Sequence, residues 1–197
     1  MSFRYEEKCL IDLKNKGLLM KYLDDYTILQ LYPSRKISSV YFDNFKKEMF
    51  SDSEEGIVPR KKIRLRNYPF SKDKKFFFET KINSVEGKFK SSRVIKNKEY
   101  MTFLTRGIFD KKYGNCEPMV EVNYKREYYK INDLRITIDT NISYKKFNSN
   151  ITFENNKILI CEFKSNDIKN IRMFYDKNIF TRLRISKYCD AISKTFN

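Results

Sequence analysis

Apolar and polar residues alternate with a period of two along eight stretches: Phe3 to Ile11, Ile37 to Asp43, Lys61 to Tyr68, Lys75 to Ile82, Phe89 to Ile95, Met119 to Tyr129, Leu134 to Ile142 and Lys157 to Lys164. Successive side chains of a strand point to opposite faces, and these stretches are rich in β-branched and aromatic residues, so each is predicted to be a strand. Between them the apolar spacing becomes helical, at Leu13 to Leu23, Lys98 to Arg106, Ile168 to Phe174 and Ser186 to Phe196. Turn chemistry falls at Tyr32 to Ser34, Asp52 to Gly56, Pro69 to Asp73, Gly114 to Pro118 and Asn148 to Asn150. None of these loops is long enough for a linker, and 197 residues suit one domain with a real core, spanning 1–197.

The polar half of the alternation is unusually charged. Arg4, Glu6 and Lys8 share one face of the first strand; Lys62, Arg64 and Arg66 share a face of another; Glu79 with Lys81, Arg135 with Thr137 and Asp139, and Glu162 with Lys164 do the same elsewhere. The opposite faces carry Tyr5, Ile63, Leu65, Phe78, Ile136, Ile138 and Cys161. In an ordinary half-buried sheet the charged face meets water. A closed barrel of eight strands is the other solution, with the apolar face packed outward under helices and the charged face lining a tunnel. Cations in such a lining are costly unless carboxylates or an anionic ligand lie among them, and polyphosphate, with its repeating anionic oxygens, suits them. The expected fold is therefore α+β, an eight-stranded antiparallel β-barrel with short covering helices.

Composition sharpens the ligand and removes several chemistries. The formal charge is +16 with no histidine in the chain, which attracts polyanions such as nucleic acid, anionic lipid or polyphosphate. Without histidine, serine–histidine triads and histidine-based acid–base or metal chemistry are excluded. Cys9, Cys116, Cys161 and Cys189 form no CxxC pair and sit among apolar neighbours, which favours buried thiols in a reducing compartment over structural zinc. The chain contains no GxGxxG and no Walker-type loop, so phosphate has to be held by side chains. No secretory leader is read before Phe3, and no apolar run approaches the ~20 residues of a transmembrane helix. The expectation is a soluble, cytoplasmic protein.

Nine short motifs, in order, carry a resemblance over nearly the whole chain: RYEEK, SVYFDN, RKKIRLRNY, FFETK, KFKSSR, VNYKRE, LRITIDTNI, CEFKS and RISKY. The sequence resembles the VTC-type polyphosphate polymerase domain of the triphosphate tunnel metalloenzyme, or CYTH-like, superfamily. The resemblance implies a tunnel of basic residues that holds the triphosphate of ATP or a growing polyphosphate chain. On matching positions it implies Lys8, Arg64, Arg66, Lys81, Arg126 and Arg135 as phosphate ligands. Lys88 and Lys90 compete for a further place, and Arg93 is an additional candidate. It implies Lys187 as a contact to a terminal phosphate, acting with Arg64 and Arg66 in catalysis. Glu162 matches the family's glutamate for Mn²⁺ or Mg²⁺, with Glu6 and Glu79 as secondary metal candidates. Taken singly, each cation is equally a solvated surface charge, and the lesser alternative for Glu162 is an ion-pair partner of a nearby Lys or Arg.

One departure concerns the reaction. Hydrolytic members often begin ExExK, whereas this chain has Arg4, Glu6 and Lys8, which fits a polymerase better than a two-metal hydrolase. The expected reaction is transfer of the terminal phosphoryl group of ATP to polyphosphate. A tripolyphosphatase or nucleoside triphosphatase, and a non-catalytic polyphosphate- or RNA-binding module, are the alternatives, the last because Tyr and Phe can stack on bases.

Overall fold

The computed structural model describes residues 5–172 and 180–196. Arg4, Phe3 and the end of the predicted helix at Phe174 lie outside them. In chain order the elements are β1 (Tyr5–Asp12), a 3-10 turn (Leu13–Asn15), α1 (Lys16–Asp24), β2 (Leu29–Asp43), α2 (Glu48–Glu55), β3 (Arg60–Asn67), β4 (Phe76–Ser84), β5 (Gly87–Ile95), α3 (Asn97–Arg106), β6 (Ile108–Asp110), β7 (Gly114–Ile131), β8 (Leu134–Lys146), β9 (Thr152–Asn155), β10 (Ile158–Ser165), α4 (Ile168–Arg172), β11 (Thr181–Arg182) and α5 (Lys187–Phe196). These are the expected antiparallel strands with short helices. All eight predicted strands are present, and β6, β9 and β11 are short additions.

The chain divides into two compact units, residues 1–36, 124–142 and 154–185 in the first and residues 37–123, 143–153 and 186–197 in the second. In the first, the hydrogen-bonded order is β11-β1-β10-β8-β7-β2; in the second, β2 continues the order into β3, β4 and β5. The core of the first unit lies on one face of its sheet. Cys9, Ile11, Ile136, Ile138, Leu159, Cys161 and Phe163 pack there against Leu19, Tyr22 and Leu23 of α1 and Ile171 of α4. In the second unit Val40, Phe42, Ile63 and Leu65 are buried. On their side of the sheet α3 stacks Tyr100 on Phe76, with centroids 4.1 Å apart, and sets Phe103 beside Phe78. Alternation thus puts apolar residues under helices in both units, as expected. All four cysteines are buried.

Three turn assignments differ. β2 runs through Tyr32–Ser34, because Pro33 has φ compatible with extended backbone and stands in an exposed half-strand where its missing N–H costs little. Gly56, with φ 78°, does end an element, but that element is α2, an eight-residue helix with too few apolar positions to show a period. The expected turn at Gly114–Pro118 lies one step earlier, with Gly114 at φ 69° as the first residue of β7. Gly107 ends α3 at φ 75°, where a Cβ would stand 2.6 Å from the Cys116 carbonyl oxygen, so this approach of backbone to backbone requires glycine. No helix among the described residues is long and apolar enough to cross a membrane.

Candidate phosphate-binding site

The second unit gathers most of the predicted cations on one face. Pairing of β3, β4 and β5 places Lys62 opposite Lys81 and Lys81 opposite Lys90, a row of three lysines across three strands. The next row is Arg64, Glu79 and Ser92, and Arg66 follows on β3. Like charges directly opposite one another destabilise a sheet. Across these rows one carboxylate, Glu79, stands among Lys62, Lys81, Lys90, Arg64 and Arg66 and binds the last three. Its Oε2 accepts from Arg64 Nε at 2.7 Å and Nη2 at 2.6 Å and lies 3.6 Å from Arg66 Nη1. Its Oε1 accepts from Lys90 Nζ at 2.6 Å and Ser92 Oγ at 3.2 Å. Arg66 is 6% exposed and donates to Ser39 Oγ.

Three groups respond to the surrounding positive charge. Burial favours the neutral form of Glu79, yet Arg64, Arg66 and Lys90 outweigh it and hold the carboxyl at about 2. Lys90 nevertheless lies below its ordinary value, since burial and the nearby guanidiniums together outweigh its bond to Glu79. Tyr41 of β2 receives Arg64 Nη1 at 2.8 Å. Burial alone would raise its phenol, but Arg64, Arg66 and Lys187 bring it down to about 8. The ligand-free protein is therefore expected to show a tyrosinate absorbance step near pH 8 that is missing from Tyr41→Phe and moves upward when tripolyphosphate is added. An unshifted step would mean that the anion binds elsewhere. Because the folded value lies below the ordinary one, this ionisation adds stability as pH rises through 8 towards 10.

The C-terminal helix lies over the same face. Tyr188 stacks on Tyr41 with centroids 5.2 Å apart and donates its hydroxyl to Asp43, which also accepts backbone N–H groups of Asn44, Met49 and Phe50. Lys62 Nζ reaches Ser186 Oγ at 2.8 Å. Lys187, the first residue of α5, is thereby placed where its charge acts on Tyr41.

The first unit carries a charged face of different balance. Glu6 pairs in register with Lys164 and Lys8 with Glu162, while Glu162 lies opposite Thr137 and Lys164 opposite Arg135. Arg126 makes a two-pronged contact with Asp139, at 2.6 and 2.7 Å, and Asp139 is 1% exposed. Glu162 meets Lys164 at 2.8 Å and Arg126 at 3.8 Å; Glu6 meets Lys8 at 3.6 Å and Lys164 at 3.7 Å. Burial would push Glu162 up, but Lys8, Lys164 and Arg126 hold it well below the usual carboxylate range. Among the described residues of these strands, Lys8, Arg126, Arg135 and Lys164 thus stand with Glu6, Asp139 and Glu162.

Glu6 and Glu162 both reach Lys164, and Thr137 beside Glu162 has a buried hydroxyl without a hydrogen-bond partner. Two carboxylates and a hydroxyl suit Mg²⁺ or Mn²⁺ when phosphate and water complete the shell. No group of three or more metal-ligating side chains gathers among the described residues, so the protein alone supplies only part of such a shell.

The other expected residues take several places. Glu79, a secondary metal candidate, has both side-chain oxygens accepting from cations. Arg93 lies opposite Phe78, on the apolar face, where it covers Phe78 and pairs with Glu99 of α3. Lys90 rather than Lys88 reaches the cluster; Lys88 pairs with Asn83 and is exposed. Arg135 is exposed and lies over the Tyr128 ring. Tyr41, Ser39 and Ser92 were not anticipated, since only cross-strand register brings them to Arg64, Arg66 and Glu79.

The VTC domain family model matches residues 3–114 and 108–196. No curated protein matches the chain. Among solved structures, a Bacillus halodurans protein whose assignment as an adenylate cyclase is provisional has a TM-score of 0.65 at 12% identity, over 100% of both chains. The Pyrococcus horikoshii protein PH1819 has a TM-score of 0.62 at 14% identity, covering 96% of this chain and 99% of its own. The Mediator head module of Schizosaccharomyces pombe gives 0.56 at 10% identity, over 91% of this chain and 99% of the matched one. At such identities the likeness concerns the fold, and this fold serves proteins of different roles. The family match covers nearly the whole sequence, and the chain belongs to the VTC-domain family.

Proposed function

We propose that the protein is a phosphotransferase that moves the terminal phosphoryl group of ATP onto polyphosphate, with Mn²⁺ or Mg²⁺ as cofactor. The observation that supports this reading is the lysine row Lys62–Lys81–Lys90 beside Arg64 and Arg66, cations set in register on one face of three strands. Phosphoryl transfer needs positioning and charge stabilisation more than covalent help, which suits a chain without histidine. Arg64 and Arg66 would clamp phosphate oxygens while Glu79 fixes their direction. Lys81 and Lys90 would follow the chain, and Lys187 would meet its end. In the other unit, Lys8, Arg126 and Arg135 would take phosphate on their own face, and Glu6 and Glu162 would hold the divalent ion there, where it would offset phosphate charge.

The test is incubation of the purified protein with ATP and Mn²⁺, with products resolved on a gel. Long chains support the polymerase, and orthophosphate alone points to a triphosphatase. The pairing of Glu162 with Lys164 at 2.8 Å favours a second reading, a non-catalytic polyphosphate- or RNA-binding module, for which binding without turnover is expected. Glu162→Gln should lower metal-dependent turnover steeply while tripolyphosphate affinity in chelator stays or rises, because a negative charge is lost. Parental turnover in that variant would remove Glu162 from the reaction.

A further inference from the structure

Beside the charged face of the first unit stands an aromatic cluster that phosphate binding does not use. Tyr128 of β7 is 6% exposed, and its ring meets that of Tyr32 of β2 edge-on, with centroids 5.8 Å apart. Tyr32 is 49% exposed. The Arg35 guanidinium lies 5.4 Å from the centre of the Tyr32 ring and 5.8 Å from that of Tyr128, and Arg135 lies 5.8 Å from Tyr128 on its own account. One ring is thus a fixed floor and the other stands half in solvent, with two guanidinium planes against them.

Arg135 joins this cluster to the charged face, since it is the register partner of Lys164, which bridges Glu6 and Glu162. An exposed tyrosine set against a buried one and flanked by arginines has the parts that receive a heteroaromatic ring: π-faces for stacking and planar cations that stack as well. A bare phosphate chain would use the arginines and leave the tyrosines idle. We propose that Tyr32, Tyr128, Arg35 and Arg135 form a stacking seat for a nucleobase, so that this protein recognises its donor as a nucleoside triphosphate and not only as a triphosphate. The inference rests on the triphosphate reading above and adds the part of the donor that the cations cannot sense.

The experiment compares three probes by calorimetric titration of the full chain: ATP, ribose 5-triphosphate, which has the same charge without the base, and tripolyphosphate. The parent is expected to bind ATP about tenfold more tightly than ribose 5-triphosphate, the lower end of what base stacking on an aromatic contributes. Tyr32→Ala should lose that ratio while its tripolyphosphate affinity stays at the parental level, and Tyr32→Phe should keep it. Arg35→Gln should reduce the ratio too, and it replaces Tyr32→Ala should that variant not fold. Equal affinity of the parent for ATP and ribose 5-triphosphate, or an unchanged ratio in Tyr32→Ala, would overturn the base seat alone. Absence of tripolyphosphate binding to the parent would overturn the triphosphate reading and the seat with it.

Discussion

Replacing Arg64 and Arg66 together by alanine is expected to weaken tripolyphosphate binding by more than a hundredfold, while the chain stays folded. Charge-assisted hydrogen bonds contribute about 1.5 to 3 kcal/mol each, so losing two guanidiniums amounts to about 3 to 6 kcal/mol. The fold survives because Glu79 keeps Lys90 at 2.6 Å and Ser92 at 3.2 Å, and two like charges leave a crowded face. An internal control comes with the same variant. Tyr41 owes its value of about 8 chiefly to Arg64 and Arg66, so its absorbance step should move towards that of an ordinary tyrosine. Unchanged affinity in a folded double variant would end the role assigned to this face.

Glu79→Gln should have the largest effect on stability. The substitution leaves Arg64, Arg66 and Lys90 around a neutral amide that is almost entirely buried, and breaking a buried ion pair from one side costs about 3 to 5 kcal/mol. Tripolyphosphate, which restores negative charge, should recover much of the loss, and thermal melting with and without it measures both. Acid reproduces the effect in the parent. Glu79 is held at about 2 against an ordinary 4.5, so its contribution of about 3 kcal/mol is complete above 4.5 and disappears as pH falls through 2. A Glu79→Gln variant that melts like the parent, or is not rescued by tripolyphosphate, would contradict the account.

The faces of individual strands were legible in the sequence. Lys62, Arg64 and Arg66 alternate with Ile63 and Leu65, and the structure separates them accordingly. The parity of Lys90 and Arg93 already sets them on opposite faces, so only one of them could join Lys81. Register was not legible, because alternation fixes a face without fixing a neighbour. That Glu79 meets Arg64, that Asp139 occupies Arg126 and that Tyr41 lies against Arg64 follow from the register between paired strands, which the sequence of either strand alone does not set. The exposed first half of β2 was hidden for another reason, since Pro33 and Ser34 carry turn chemistry and the backbone there is extended all the same. Tyr32 and Arg35, the centre of the proposed base seat, were lost with it.

The lysine row has a consequence for how this protein responds to selection. Lys62, Lys81 and Lys90 stand opposite one another at positions where a glutamate would relieve repulsion, so acidic substitutions there should stabilise the protein without its anion. On the proposed reading, a search for more heat-resistant variants by folding alone will be drawn to these positions and will return proteins that bind phosphate less tightly. Selection in the presence of a saturating polyanion would have the opposite pull. On that reading, variants that melt higher without the polyanion should be the ones that bind it less tightly.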